Sequence, residues 1–171
     1  MRYTVLLNER GGILDDLMVT QRGDHLFLVV NAACKDRDFP FIAENLKGRA
    51  QLEILPDQAL MALQGPKAAA AFSRLAPDCA HMAFMTARSL NVNGIHCEAT
   101  RSGYTGEDGY EISVAADRAE ELARALLDQP EVKPAGLGAR DSLRLEAGLS
   151  LYGSDIDEGT TPVEASLSWI V

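Results

Sequence analysis

Three apolar runs in the first 31 residues are joined by connections of only a few residues, and that spacing restricts the fold more than any other feature of the chain. Residues 3–8, 13–20 and 25–31 are rich in Leu, Val, Ile and Phe, the composition of strands. Asn8-Glu9-Arg10-Gly11-Gly12 separates the first pair, and Arg22-Gly23-Asp24 the second. A parallel crossover needs about a dozen residues or more, so the runs are expected to pair as an antiparallel meander.

Further along, the periodicity changes. Residues 36–47 place Phe39, Ile42, Ala43 and Leu46 on one helical face, with Gly48 as a stop. Short strands are expected at 52–55 and 60–64, then a helix to about Leu75 with Pro66 at its first position. Residues 88–101 read as a hairpin turning at Asn93-Gly94. A glycine-punctuated loop, 103–109, precedes a strand at 110–114; helices follow at about 117–128 and 136–148, and Pro162 is expected to open a short one. Strands followed by helices, twice over, predict an α+β fold of antiparallel sheets with packed helices. The chain opens directly into a strand and closes inside Trp169-Ile170-Val171, so it is expected to be part of a longer one, incomplete at both ends.

With 171 residues and a formal net charge of -9, the chain repels phosphate backbones and anionic membrane surfaces, so neither nucleic acid nor membrane is expected as a partner. Without a secretory leader or long apolar run, it reads as cytoplasmic or as an organelle-matrix form. Cys34, Cys79 and Cys97 have no metal-like spacing and are expected to be buried thiols; His25, His81 and His96 form no ligand pair, so no metal is expected.

Two carboxylates interrupt the second strand, in Ile13-Leu14-Asp15-Asp16-Leu17-Met18-Val19. Alternation puts Asp15 with Ile13, Leu17 and Val19, and Asp16 with Leu14, Met18 and Thr20. Neighbouring carboxylates in different surroundings have their pKa values driven apart, and either one, desolvated, would suit a proton acceptor. A pair of capping or turn aspartates is the plainer alternative. A turn at 22–24 places Asp15 and Asp16 opposite Val30 and Asn31, and Asn31 is either a ligand-binding amide or a turn amide. On the strand at 110–114, Glu111 and Ser113 face away from Tyr110, Ile112 and Val114. A carboxylate lining a pocket there would accept paired hydrogen bonds from an amino-pyrimidine edge. The preceding glycines would let backbone approach closely, and Tyr104 would stack on a flat ring. Arg140 and Arg144 fall four apart on one helix face, and Arg140 suits either a bidentate carboxylate clamp or an internal ion pair with Asp141, Glu146 or a neighbour.

Six motifs in order, Gly-Gly-Ile-Leu-Asp-Asp-Leu (11–17), Val-Val-Asn-Ala-Ala-Cys (29–34), Ala-Leu-Gln-Gly-Pro (62–66), Arg-Ser-Gly-Tyr-Thr-Gly-Glu-Asp-Gly-Tyr-Glu-Ile-Ser (101–113), Ala-Arg-Asp-Ser-Leu-Arg-Leu-Glu-Ala-Gly-Leu (139–149) and Gly-Ser-Asp-Ile-Asp-Glu-Gly-Thr-Thr-Pro-Val-Glu-Ala (153–165), resemble the glycine cleavage T-protein family. The resemblance implies an aminomethyltransferase. Such an enzyme takes the aminomethyl group from the lipoyl arm of H-protein, releases ammonia and passes the carbon to tetrahydrofolate. It implies Asp16 as the catalytic carboxylate, Glu111 on the pterin and Arg140 on the anionic tail of the folate, with Tyr104 and Asn31 lining the pocket. A eukaryotic source would place it in the mitochondrial matrix. The departure from the family is at the ends: family members carry an additional N-terminal segment and a C-terminal barrel. The 171 residues are therefore expected to form a partial folate-binding region with weak or absent turnover. Alternatives are a folate-binding module of sarcosine or dimethylglycine dehydrogenase type, or an inert truncated product.

Overall fold

Strands β1 (Arg2–Leu7), β2 (Ile13–Arg22) and β3 (His25–Val30) form the expected antiparallel meander in the order β1-β2-β3. In the computed structural model, which describes residues 1–171, this sheet belongs to a unit made of Met1–Leu55 and Ser150–Val171. Gly23 turns the second hairpin with φ +68°, a conformation that costs glycine nothing. The β2–β3 register pairs Arg22 with His25 and Leu17 with Val30. Continued by one step, it sets Asp16 opposite Asn31; Asp15 lies one residue further on rather than facing Val30.

Helix α1 (Lys35–Leu46) follows β3, and Gly48, at φ +73°, closes it. Its buried face differs from the expected one. Ile42 is buried, Ala43 is exposed, and Asp38, four residues before Ile42, occupies a core position. Ile13, Ile156 and Leu167 form the centre of this unit, with Tyr3, Val5, Leu7, Tyr152, Ala165 and Ile170 packed around them. Residues 52–55 are not a strand: they pair with nothing in either sheet, Ile54 and Leu55 are exposed, and Pro56 follows. Pro162 opens turns rather than a helix, with a 3-10 turn at Ser168–Ile170.

The second unit, Pro56–Leu149, is built on a four-stranded antiparallel sheet. Its strands are β4 (Gln58–Gln64), β5 (Ala87–Val92), β6 (Ile95–Thr100) and β7 (Gly109–Ala115), in the order β4-β7-β6-β5. Asn93 and Gly94, at φ 51° and 86°, make the tight hairpin turn that the Asn-Gly pair predicts. Tyr110, Ile112 and Val114 of β7 are fully buried, in one core with Phe72 of helix α2 (Ala68–Leu75) and Leu122 of helix α3 (Ala119–Leu127). Burial of each such side chain contributes roughly 1.5–3 kcal/mol. The Phe72 and Tyr110 rings lie 4.8 Å apart. Helix α2 starts two residues later than Pro66 implies, after Lys67. Helix α4 (Leu137–Glu146) ends the unit. Cys79 and Cys97 are buried thiols, whereas Cys34 is only half-buried. No helix is long and apolar enough to cross a membrane.

Gly12 positions the start of β2. Its neighbour Ile13 donates its N–H to the carbonyls of Asp157 and Thr160, 3.2 and 3.0 Å away. A Cβ on Gly12 would fall 1.9 Å from the Glu158 carbonyl oxygen, a backbone atom that cannot swing aside. Gly12→Ala is therefore expected to destabilise this unit by about 1–3 kcal/mol, the usual cost of overpacking, read as a lower urea midpoint. An unchanged midpoint would show that the 157–160 segment yields freely.

Candidate functional site

The two aspartates of β2 are separated as alternation requires. Asp15 is fully buried with Ile13 and Leu17, while Asp16 is half-buried. Asn31 joins them around the end of the hairpin. Its Nδ2 lies 2.9 Å from Asp15 Oδ1, 2.8 Å from Asp16 Oδ1 and 3.2 Å from the Asp16 carbonyl, and its backbone N–H reaches Asp15 Oδ2 at 3.3 Å. An amide group has two hydrogens, so three acceptors share them. Burial pushes the Asp16 carboxyl above its ordinary value; a hydrogen bond with Tyr3 opposes this, the Asp15 charge reinforces it, and Asn31 opposes it again. The result is a carboxylate held in place yet readier than usual to take a proton.

Arg37 of α1 anchors the same region. It donates to the Leu14 carbonyl, to the Tyr152 hydroxyl at 3.1 Å and to Glu158 Oε1 at 3.1 Å, with its guanidinium 5.0 Å from the Tyr152 ring centre. The Cys34 thiol is pushed up to about 11 by burial first and then by Asp15, so it stays protonated.

In the second unit, half-buried Glu111 accepts a hydrogen bond from Ser102 Oγ at 2.8 Å, and Ser102 is itself 2.7 Å from Thr100 Oγ1. Tyr104 is covered by Arg140, whose guanidinium stands 4.4 Å from the ring centre. That stacking orients the cation and one ring face together. Arg144, also on α4, is buried and pairs at 2.8 Å with Asp141, a partner that the sequence offers to Arg140.

The glycines at 103 and 109 serve a purpose that sequence reasoning missed. A Cβ on Gly103 or Gly109 would meet the Gln64 side chain at 1.7 or 2.5 Å. Gln64 therefore threads between the ends of the loop, donating to the carbonyls of Ser102 at 3.0 Å and Tyr110 at 3.2 Å. Here the close approach is to Gln64. Its place in Ala-Leu-Gln-Gly-Pro at the end of a strand was the available signal.

Comparisons with known proteins cover the whole chain. The GCVT N-terminal domain family matches residues 1–171. The chain belongs to that family. It is 53% identical over 175 residues to the mitochondrial aminomethyltransferase of Homo sapiens, covering 97% of this chain and 43% of that protein. It is 45% identical over 186 residues to the Dictyostelium discoideum protein of the same name, covering 99% and 46%. The glycine cleavage system aminomethyltransferase T of Bartonella henselae superposes with a TM-score of 0.90 at 44% identity, covering 99% of this chain and 46% of that one. The chain thus spans a little under half the length of these relatives. A heterotetrameric sarcosine oxidase from Corynebacterium, at 20% identity and a TM-score of 0.52 over 78% of this chain and 62% of that one, shares the fold alone.

Two outcomes follow. Gln64→Ala leaves the Ser102 and Tyr110 carbonyls without their donor and should cost about 1–3 kcal/mol in denaturant unfolding. Asp16→Asn keeps an oxygen for Asn31 but removes a half-buried charge. The Asp16 pKa is raised in the folded state, so its ionisation works against folding above that pKa and not below the unfolded value. The variant should therefore be more stable than wild type at pH 8, with the advantage vanishing toward pH 3. A constant difference across that range would contradict the assignment.

Proposed function

We propose that this chain carries the folate-binding and proton-accepting groups of an aminomethyltransferase of glycine cleavage. In this reaction the carbon of an aminomethyl group on the lipoyl sulfur of H-protein passes to tetrahydrofolate. Two carbon–nitrogen bonds form to folate nitrogens, the carbon–nitrogen bond to the amino group and the carbon–sulfur bond break, and ammonia and a free thiol leave. The two protons lost from folate nitrogens balance those gained by ammonia and thiol. The compartment is the mitochondrial matrix where the source cell is eukaryotic, and the cytoplasm otherwise.

The observation that carries this reading is Asp16, half-buried, raised in proton affinity and held by Asn31 and Tyr3, in a member of this family. Asp16 takes the proton that a folate nitrogen sheds as it becomes bonded to carbon. Asn31 keeps the carboxylate oriented. Glu111, aimed by Ser102, accepts from the amino-pyrimidine edge of the pterin; Tyr104 offers a ring face and Arg140 a charge for the anionic tail.

Titration calorimetry with tetrahydrofolate should register binding by the wild-type chain and at least tenfold weaker binding by Glu111→Ala, given that a charge-assisted pair is lost (about 1.5–3 kcal/mol). Equal heats would remove Glu111 from this role. In a full-length aminomethyltransferase that carries these residues, single-turnover ammonia release from aminomethylated H-protein should slow about 10²–10⁴-fold in Asp16→Asn. Equal rates would end the assignment of Asp16.

A further inference from the structure

The proposed chemistry leaves one group in the first unit unexplained. Asp38 is 0% exposed, and neither of its carboxyl oxygens receives a hydrogen bond from an N–H. Its nearest cation, Arg37 Nε, is 3.6 Å from Oδ1, and Arg37 Nε is itself buried without a hydrogen-bond partner. What Asp38 does meet is a second carboxyl, that of Asp15, which is also 0% exposed and within hydrogen-bonding reach. Two ionised carboxylates cannot bond to one another, and their repulsion is not screened where water is excluded. One proton between them turns two acceptors into a donor and an acceptor, and leaves a single charge for Arg37 to face.

We propose that Asp15 and Asp38 are positioning residues, a buried carboxyl pair that holds one proton and, through the Asn31 amide, fixes the carboxylate of Asp16. The geometry supports the coupling. Asp15 Oδ1 and Asp16 Oδ1 draw on the same Asn31 Nδ2, at 2.9 and 2.8 Å. The groups facing the pair are Arg37 on α1, Cys34 just before that helix, Asp16 on β2 and Asn31 after β3. Tyr3 of β1 touches Asp16, and Tyr152 and Glu158 touch Arg37. Burial, then Asp15, pushes Asp38 up to about 7. Near neutral pH Asp38 therefore stands between its neutral and charged forms, and its ionisation adds charge beside Asp15, which shares the Asn31 amide with Asp16. Such a pair titrates as a unit.

This deepens the reading of Asp16 as proton acceptor and rests on it for its meaning, but the test needs neither folate nor turnover. The 171-residue chain labelled with 13C at aspartate Cγ is titrated by NMR from pH 3 to 9. One carboxyl should titrate near pH 7, and Asp38→Asn should abolish that step. The resonance lost in Asp16→Asn should show, in wild type, a secondary displacement near pH 7 that is absent in Asp38→Asn. A merely structural aspartate would leave the Asp16 resonance unmoved. The proposal is overturned if every aspartate of the wild type titrates below pH 5, or if the step near pH 7 survives in Asp38→Asn. The first of these is read without any variant, so a poorly folding Asp38→Asn does not shelter the idea. Retained transfer in Asp16→Asn with the pH 7 step intact would sink the catalytic reading and leave the carboxyl pair standing.

Discussion

The side-chain amide of Asn31 is the contact on which the chemistry proposed for the first unit depends. A strand sends adjacent side chains to opposite faces, so Asp15 and Asp16 act on one another through charge and through a shared neighbour. The β2–β3 register brings Asn31 opposite Asp16 at the open end of the hairpin, where one Nδ2 reaches an oxygen of each. The hairpin turn at Gly23 thereby sets the surroundings of a carboxylate seven residues away from it along the chain; a slip of one residue in that turn would exchange the faces and dissolve the arrangement.

The second unit achieves positioning by a different device. There a polar side chain, Gln64, occupies the space that two glycines leave, and ties both ends of the 103–109 loop to the end of β4. Ser102, at the start of that loop, is thereby placed to donate to Glu111 on β7, and Tyr104 to lie beneath Arg140. Glu111, which we propose meets folate, is thus aimed by a serine that sits next to the Gln64 tie, as precise recognition of a flat polar ligand requires.

Much of this was legible beforehand because it depends on short-range rules. Connection length dictated the meander, Asn93-Gly94 the hairpin, and alternation both the division of Asp15 from Asp16 and the buried face of β7. The failures lie where tertiary partners decide. Residues 52–55 have a strand's composition but no neighbour to pair with. Asp38 shares a helical face with Ile42, yet an acidic residue at a core position reads as solvent-facing unless its partner, a carboxyl far away in sequence, is already known. Gln64 was visible within a motif, but its task could not be read without seeing which glycines it separates. The family resemblance supplied candidate positions for all five site residues; it did not indicate that the Asn31 donors are taken up by the aspartates themselves.

The claim that Asn31 holds a half-buried Asp16 as a carboxylate is tested most directly by the Asp16 titration in Asn31→Ala. The Asn31 hydrogen bond favours the ionised form, whereas burial disfavours it. The account predicts a wild-type Asp16 midpoint above the ordinary value of 3.8, and a higher one still once the amide is removed. A wild-type midpoint at or below 3.8, or one that Asn31→Ala leaves unmoved, would contradict it.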